Sequence, residues 1–187
     1  MRAIELQPGQ RVTLPRHRAL TPALHLCVDE GVGHLSAPFG MSLAFCSPTE
    51  TPWLWLLPST VWALEALTPM QLQLEAVEAT PSGADLIAEW QWHLHLARHP
   101  VGAEQRVSNL LRLLILHFGR RVPQGYRLPF ALGHGRIAEL IGVTRSTVTR
   151  QFSLLRQNGQ LTVDQAGHLL AAPELIEMHE LVTNITA

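Results

Sequence analysis

The stretch that decides the fold is "RIAELIGVTRSTVTRQFSLLRQNG", residues 136–159. Its centre is rich in Thr, Ser and Val, which are weak helix formers, so intrinsic propensity alone favours a strand there. The apolar spacing indicates two helices instead. Each predicted helix has one apolar edge that can pack on the other: Ile137, Leu140 and Ile141 on the first, and Val148, Phe152 and Leu155 on the second.

The residues between these two edges predict a tight turn. Gly142 permits a backbone angle that a side chain disfavours, and Ala138 is small enough for the helices to approach each other. Thr144 can cap the second helix, because its hydroxyl can accept from a main-chain N–H two or three residues on. Packing and capping can outweigh a weak propensity. A small residue, Gly four positions later and Val six after that form the helix-turn-helix signature.

The second helix has a polar side that faces away from its apolar edge and is available to a DNA major groove. An arginine can bind the O6 and N7 atoms of guanine in a fork, and hydroxyls can contact phosphates or either base type. The residues on and beside this polar side are Arg145, Ser146, Thr149, Arg150 and Ser153. The alternative interpretation is a plain helical hairpin with a solvated arginine face.

The flanking residues complete a domain. A broad apolar stripe predicts a helix over 103–120, with Arg106, Asn109 and Arg112 on the opposite side. "VPQGYRLPFALGHG" is predicted to be a loop. After residue 159, "LTV", the turn "DQAG" and "HLL" predict a two-stranded hairpin that would form a wing, followed by Pro173 and a short tail.

The charge is distributed unevenly along the chain. All 14 basic residues are arginines, and ten of them lie between residues 98 and 156, where only two residues are acidic. The stretch 19–97 has no basic side chain and eight acidic ones. The sequence therefore predicts two modules of opposite charge, of which the positive one suits a polyanion.

The residues before 80 form short apolar runs separated by Gly and Pro turn formers, which indicates a small antiparallel barrel or jelly roll. A helix is predicted over 84–99 with two apolar sides, one for its own barrel and one for a partner helix. The predicted dimer contacts are Ile87, Trp90, Leu94 and Ala97, with Trp92 and Leu96 on the second side. No run reaches the roughly 20 apolar residues of a membrane span, and no signal peptide is evident, so a cytoplasmic protein without membrane partners is expected.

"GHGRIAELIGVTRSTVTRQFSLLRQNGQLTV" resembles the C-terminal winged helix of the CRP/FNR transcription regulators, nearest to the cyanobacterial nitrogen-control branch. "QRVSNLLRLLILHFG" and "ADLIAEWQWHLHLA" resemble the preceding helix and the dimerisation helix of that family, and "LQPGQRVTL" and "VDEGVGHL" resemble its opening strands and its Gly turn. The resemblance implies an α+β chain in three parts. These are a shortened, non-standard β-barrel or jelly roll at 1–82, a dimerisation helix at 83–100 and a winged helix-turn-helix domain at 101–187.

The resemblance also implies the roles of individual residues. Arg145, Ser146 and Arg150 would read bases, and Thr147 and Thr149 would lie near the DNA backbone. Two positions depart from the family pattern: Ser146 replaces a common Glu, and Gly135 replaces a Gln that contacts phosphate. His134 and Arg136 are predicted to supply the phosphate contact in its place.

The sensory half lacks the residues that its relatives use for ligands. The resemblance would place a cyclic nucleotide on a Gly-Glu cassette and an Arg-Ser/Thr pair, whereas "PSTVWALEALTPMQLQLEA" offers Glu65 but no Arg and no such glycines. Two cysteines are too few for a four-thiolate iron–sulfur cluster. Cys27 and Cys46 are interpreted as small buried hydrophobes, with redox pairing as the alternative. His93, His95 and His99 are interpreted as exposed or interface residues, with a metal role as the alternative; no cofactor or metal is predicted.

The sequence thus predicts a homodimeric, sequence-specific transcription regulator that binds double-stranded DNA at a near-palindromic site without gating by cyclic nucleotide. RNA polymerase or a protein co-regulator is a possible further partner. The alternative is a protein-interaction module that dimerises with, or titrates, another regulator. No catalytic motif is present, so an enzyme is not expected.

Overall fold

The computed structural model describes residues 2–14, 23–37, 40–48, 54–56, 62–77 and 86–177, and the chain divides into two compact units, Met1–His93 and Leu94–Ala187. No helix among the described residues is long and apolar enough to cross a membrane.

The first unit contains two four-stranded antiparallel sheets. Their strand orders are β1-β8-β3-β6 and β2-β7-β4-β5, which is the arrangement of a jelly roll. The prediction of a small antiparallel barrel or jelly roll is therefore confirmed. The described residues of this unit form eight strands. These are β1 (Arg2–Leu6), β2 (Arg11–Leu14), β3 (Ala23–Glu30), β4 (Gly33–Ser36), β5 (Ser42–Cys46), β6 (Leu54–Leu56), β7 (Trp62–Ala66) and β8 (Met70–Val77).

Both sheets supply the core of this unit. Leu26 and Leu72 in the first sheet and Leu35 and Leu64 in the second are almost completely buried. The turn after β3 depends on Gly31, whose φ of 89° is a left-handed value. A Cβ at this position would lie 2.2 Å from the main-chain oxygen of Pro69, so a side chain cannot be accommodated. The glycine turn suggested by "VDEGVGHL" thus has a steric cause.

Glu65, the acidic residue singled out in the sensory half, is part of a cross-strand ion pair. Arg11 lies opposite it in the β2–β7 register, and Arg11 Nη2 is 2.8 Å from Glu65 Oε2. Sequence spacing did not reveal this pair because the two residues are 54 positions apart. Glu65 therefore already has a cationic partner within the barrel.

The first helix, α1 (Leu86–Arg98), has one face buried within the chain. Trp90, Leu94 and Ala97 are each 3% exposed or less. The Trp90 ring packs against Phe45 of β5 with a centroid separation of 5.0 Å, and Gln91 donates to the main-chain oxygens of the same strand. The opposite side of α1 is exposed, and Trp92 keeps 52% of its surface.

The second unit combines helices with one four-stranded sheet in the order β11-β12-β10-β9. The predicted helices and the wing hairpin are all present, with bounds shifted by a few residues at most. The elements are α2 (Ala103–Phe118), β9 (Arg120–Val122), β10 (Gly125–Arg127), α3 (His134–Ile141), α4 (Arg145–Gln157), β11 (Leu161–Val163), β12 (Leu169–Ala171) and α5 (Pro173–Glu177).

The loop predicted over "VPQGYRLPFALGHG" is wrong in its first part. Residues 120–127 form the β9–β10 hairpin, and β10 also pairs with β12 of the wing. Strands of three residues carry little alternation, and residues 120–127 include three arginines in place of the apolar runs that indicated the wing. Tertiary pairing with the wing determines this structure.

Arg112 lies opposite the apolar stripe of α2, as the sequence predicts, but this position is not exposed. Arg112 is 5% exposed because α5 covers it. Its Nη2 donates to the Leu175 oxygen at 2.9 Å, its Nε donates to the Ile176 oxygen at 3.2 Å, and its Nη1 donates to Asn109 Oδ1. Burial lowers the pKa of this guanidinium, which remains charged because an arginine titrates far above neutral pH. Arg112 therefore links α5 to α2 through hydrogen bonds.

Candidate nucleic-acid interface

The turn between α3 and α4 has the geometry that the sequence predicts. Gly142 ends α3 in the left-handed region with φ 67° and ψ 44°, and the N–H of Val143 donates to the Ala138 oxygen at 3.1 Å. Thr144 caps α4 because its Oγ1 accepts from the N–H of Thr147 at 3.2 Å. These contacts set the start of α4 relative to α3.

We expect Gly142→Ala to destabilise the domain by about 1–2 kcal/mol, because a Cβ disfavours the left-handed conformation. A Cβ added at this position would meet no atom within 4 Å, so the cost is backbone strain without a steric clash. Gly142→Asn is the matched control, since asparagine tolerates this conformation and should lose less. Urea unfolding of the three proteins measures the difference. Equal losses for the two variants would contradict a strain-based cost.

Hydrogen bonds within α4 explain how its hydroxyl-rich sequence remains helical. Thr149 Oγ1 donates to the Arg145 oxygen and Ser153 Oγ donates to the Thr149 oxygen, each at 3.0 Å. These side chains are thereby satisfied one turn back along the helix. The other face is buried and packs within the domain through Val148, Gln151, Phe152 and Leu155.

The exposed side of α4 brings together the three predicted base-reading residues and Thr149, which was predicted to lie near the DNA backbone. Arg145, Ser146, Thr149 and Arg150 are exposed, and we call these four residues the recognition surface. Thr147 is half-buried, and its hydroxyl lies 2.8 Å from Thr144 Oγ1, so it belongs to the cap of the helix. The two arginines have no carboxylate neighbour among the described ion pairs of the chain. Two cations and two hydroxyls are thus presented to solvent on a rigid helix.

Arg156 was not predicted at this site. It is exposed in the last turn of α4, and its position eleven residues after Arg145 places it on the same helical side three turns away. The charges of Arg156 and Arg145 both act on His134. The helical repeat alone would have placed Arg156 on the same side as Arg145. Arg156 extends the row of arginines on α4 to the end of the helix.

His134 joins the start of α3 to the recognition helix. Its Nδ1 lies 2.8 Å from Thr149 Oγ1, and its ring packs against Phe152 in a tilted arrangement at a centroid distance of 4.8 Å. Partial burial, together with the charges of Arg156 and Arg145, lowers the pKa of His134 below its usual value. The imidazole is therefore neutral at neutral pH and positions Thr149. Arg136, the other predicted phosphate contact, lies 4.0 Å from Glu139 with 22% of its side chain exposed.

Several arginines of the basic segment bond within their own domain. Arg98 Nε donates to the Leu140 oxygen and Arg106 Nε donates to the Pro100 oxygen, each at 2.6 Å. Arg112 is held by α5, and Arg127 is paired with Asp164 of the wing. The charge count of the sequence therefore overstates the cationic surface available to a polyanion.

The turn of the wing is organised by Asp164. Its Oδ1 accepts from the N–H groups of Ala166 and His168 at 2.9 and 2.8 Å, and its Oδ2 lies 2.9 Å from Arg127 Nε. The His168 N–H and the charge of Arg127 hold the pKa of Asp164 below its ordinary value. The ionised carboxylate thus fixes the hairpin and links it to β10.

This pKa shift predicts that the wing loosens in acid. A carboxyl with a lowered pKa in the folded state stabilises the fold above its ordinary pKa, and this contribution is lost as the pH falls through the lowered value. Asp164→Asn should show faster amide hydrogen exchange at Ala166 and His168 at pH 7 than the parent protein. Unchanged exchange in the variant would show that the turn does not depend on the carboxylate.

The cysteines and histidines of the first unit show no shared site among the described residues. Cys46 is 1% exposed and its Sγ lies 3.7 Å from the Gly33 oxygen, which fits a small buried hydrophobe. Burial and the neighbouring Asp29 raise the pKa of Cys27. Neither Cys27 nor Cys46 is in a disulfide bond, and no group of three or more candidate ligands for a metal occurs in the described part of one chain.

The fold and the recognition surface define a winged helix-turn-helix protein with an N-terminal jelly roll. Residues 105–177 match the Crp-like helix-turn-helix domain. The chain is 38% identical over 68 residues to a global nitrogen regulator of Synechocystis, covering 36% of this chain and 29% of that protein. It is 28% identical over 99 residues to a probable transcriptional activator of Rhizobium leguminosarum bv. viciae, covering 53% of this chain and 40% of that protein. These matches span less than half the length of either relative.

Solved structures share the fold over nearly the whole chain. A CRP-family transcriptional regulator from Thermus thermophilus superposes with a TM-score of 0.68 at 17% identity, covering 94% of this chain and 95% of that one. A mutant of CooA from Carboxydothermus hydrogenoformans superposes with a TM-score of 0.66 at 15% identity, covering 96% of this chain and 87% of that one. The chain therefore has the fold of these CRP-family regulators, and its residues 105–177 are similar to the Crp-like helix-turn-helix domain.

Proposed function

We propose that the protein is a homodimeric transcription regulator that binds a near-palindromic DNA site through α4. The observation that carries this proposal is the recognition surface, in which Arg145 and Arg150 project with two hydroxyls from a capped helix inside a Crp-like helix-turn-helix domain. A helix of this kind enters the major groove, and a dimer places two of them about 34 Å apart. The resemblance to the CRP/FNR regulators also favours a cytoplasmic location. It favours RNA polymerase or a protein co-regulator as a further partner.

The roles of the individual residues follow from their positions. Arg145 and Arg150 would donate to guanine edges, and Ser146 would serve a base or a phosphate. Thr149 would act near the DNA backbone, where His134 orients it. Arg156 would add a phosphate contact at the end of the helix, together with Arg136 near the start of α3.

The dimer would form through the exposed side of α1. Among the four contacts that the sequence predicts, Trp90, Leu94 and Ala97 are buried inside the single chain and Ile87 is half-buried. Trp92 and Leu96 lie on the other side, and Trp92 is the large apolar residue that remains exposed on this helix. Members of the CRP family typically act as dimers. We therefore assign the partner contact to the Trp92 side.

Gating by cyclic nucleotide is not part of the proposal. A cyclic phosphate needs a cation or several main-chain N–H groups as its counterpart. The stretch 19–97 contains no Lys or Arg, and Arg11, an exposed residue of β2, is paired with Glu65. Calorimetric titration with cyclic AMP should therefore give no heat of binding. Tight binding of cyclic AMP would contradict the proposal that the protein is not gated by cyclic nucleotide.

Selection of bound duplexes from random DNA tests the proposed function. We expect enrichment of a two-fold related motif whose half-sites are about one helical turn apart, with two chains bound per duplex. Footprinting at several salt concentrations would then delimit the contacts. If no sequence is enriched even at low salt, the protein-interaction module becomes the better explanation, and the exposed Trp92 side is where another regulator would bind.

A further inference from the structure

The exposed side of α1 carries a heptad pattern. Ala88, Trp92, His95 and His99 follow one another at intervals of four, three and four residues, and all four are exposed. They lie opposite the face that is buried in the chain. Alternating intervals of four and three residues separate the a and d positions of a two-stranded coiled coil, at which the two helices meet. We call these four residues the α1 seam.

A second copy of this chain is the partner that fits the seam. The a and d residues of a parallel pair face the same residues of the other helix, so the contact is self-complementary about a two-fold axis. None of the four seam residues carries a permanent charge, so two copies can meet without like-charge repulsion. Arg98, the neighbouring cation, donates to the Leu140 oxygen of its own domain at 2.6 Å and is held there.

His95 and His99 are spaced to share one cation. The N–H of His99 donates to the His95 oxygen at 3.0 Å, so the helical turn continues through His99, and the two ring centroids are 6.4 Å apart. Histidines at positions i and i+4 on one helix face can ligate a single metal ion. One chain offers only two such ligands, whereas a two-fold pair brings four imidazoles into adjacent layers of the seam.

We propose that His95 and His99 of two copies bind one Zn²⁺ at the α1 seam, so that zinc strengthens the homodimer. Zinc takes four nitrogen or sulfur ligands in tetrahedral sites, and imidazole is well suited to it. The inference rests on the proposed homodimer and adds a metal and a regulatory input to it.

Zinc titration of the untagged, chelator-treated protein tests this site. Calorimetry should give one Zn²⁺ per two chains, and sedimentation equilibrium should show a dimer dissociation constant at least tenfold lower with zinc than without. Co²⁺ in place of zinc should produce the visible absorption bands of a tetrahedral site. His95→Asn and His99→Asn should each abolish these effects, and His117→Asn, which lies on α2 outside the seam, should retain them.

The possible failures are distinguishable. A dimer that forms without zinc and binds none overturns the zinc site and leaves the proposed homodimer intact. Zinc bound once per chain, or retained in the double variant of His95 and His99, also overturns the site. A monomer both with and without zinc overturns the site and the homodimer together.

Discussion

Arg145→Ala is expected to weaken binding to the selected operator by about 100-fold or more. Arg145 is exposed at the first turn of a capped helix, and a forked contact to guanine is worth about 1–3 kcal/mol. A homodimer makes this contact twice on a palindrome. Because base contacts carry the sequence information, affinity for a scrambled duplex should fall much less. Fluorescence anisotropy with the two duplexes measures both losses.

Arg120→Ala is the matched control for this substitution. It removes the same charge from an exposed position of the same domain, but Arg120 lies on β9 outside the helix-turn-helix. We expect it to bind the operator within a few-fold of the parent. If Arg120→Ala were as damaging as Arg145→Ala, or if Arg145→Ala weakened both duplexes equally, Arg145 would be a general electrostatic contact and would not read bases.

The two tryptophans of α1 are expected to have opposite roles. Trp90→Ala should lower the free energy of unfolding by about 3–5 kcal/mol, since it removes a ring that is 1% exposed and packed on Phe45. Trp92→Ala should change the stability of the single chain by less than about 1 kcal/mol. It should raise the dimer dissociation constant at least tenfold, because aromatic anchors dominate interfaces.

Urea unfolding at matched low protein concentration and sedimentation equilibrium separate these effects. Each tryptophan is the control for the other, since they are two residues apart on the same helix and the substitution is identical. Trp92→Ala would contradict the assignment if it unfolded as readily as Trp90→Ala. It would also do so if it left the dimer unchanged, because the partner contact would then lie elsewhere.

The helix-turn-helix could be predicted from sequence because its determinants are local. The left-handed Gly142, the Thr144 cap and the two apolar edges all act within a few residues. The recognition surface was identified for the same reason. The hydrogen bonds along α4, from Thr149 and Ser153 to the preceding turn, show how the hydroxyl-rich stretch remains helical.

What the sequence did not reveal depends on residues that are distant along the chain. No local pattern indicated that Arg112 is buried, because its partners in α5 are more than 60 residues away. The β9–β10 hairpin depends on pairing with β12, and Trp90 could be assigned to the barrel only once Phe45 was seen against it. Periodicity identified two apolar sides of α1 but could not decide which one the chain buries.

The internal use of Arg98, Arg106, Arg112 and Arg127 has a consequence for how strongly binding should respond to salt. Each arginine placed against a phosphate releases condensed counterions, and the logarithm of affinity falls with that of salt by about 0.9 per neutralised phosphate. In the roles proposed for them, Arg136 and Arg156 contact phosphates, whereas Arg145 and Arg150 contact bases, which gives four phosphate contacts in a dimer. The slope should therefore be about −3.6, far shallower than ten arginines per chain would produce.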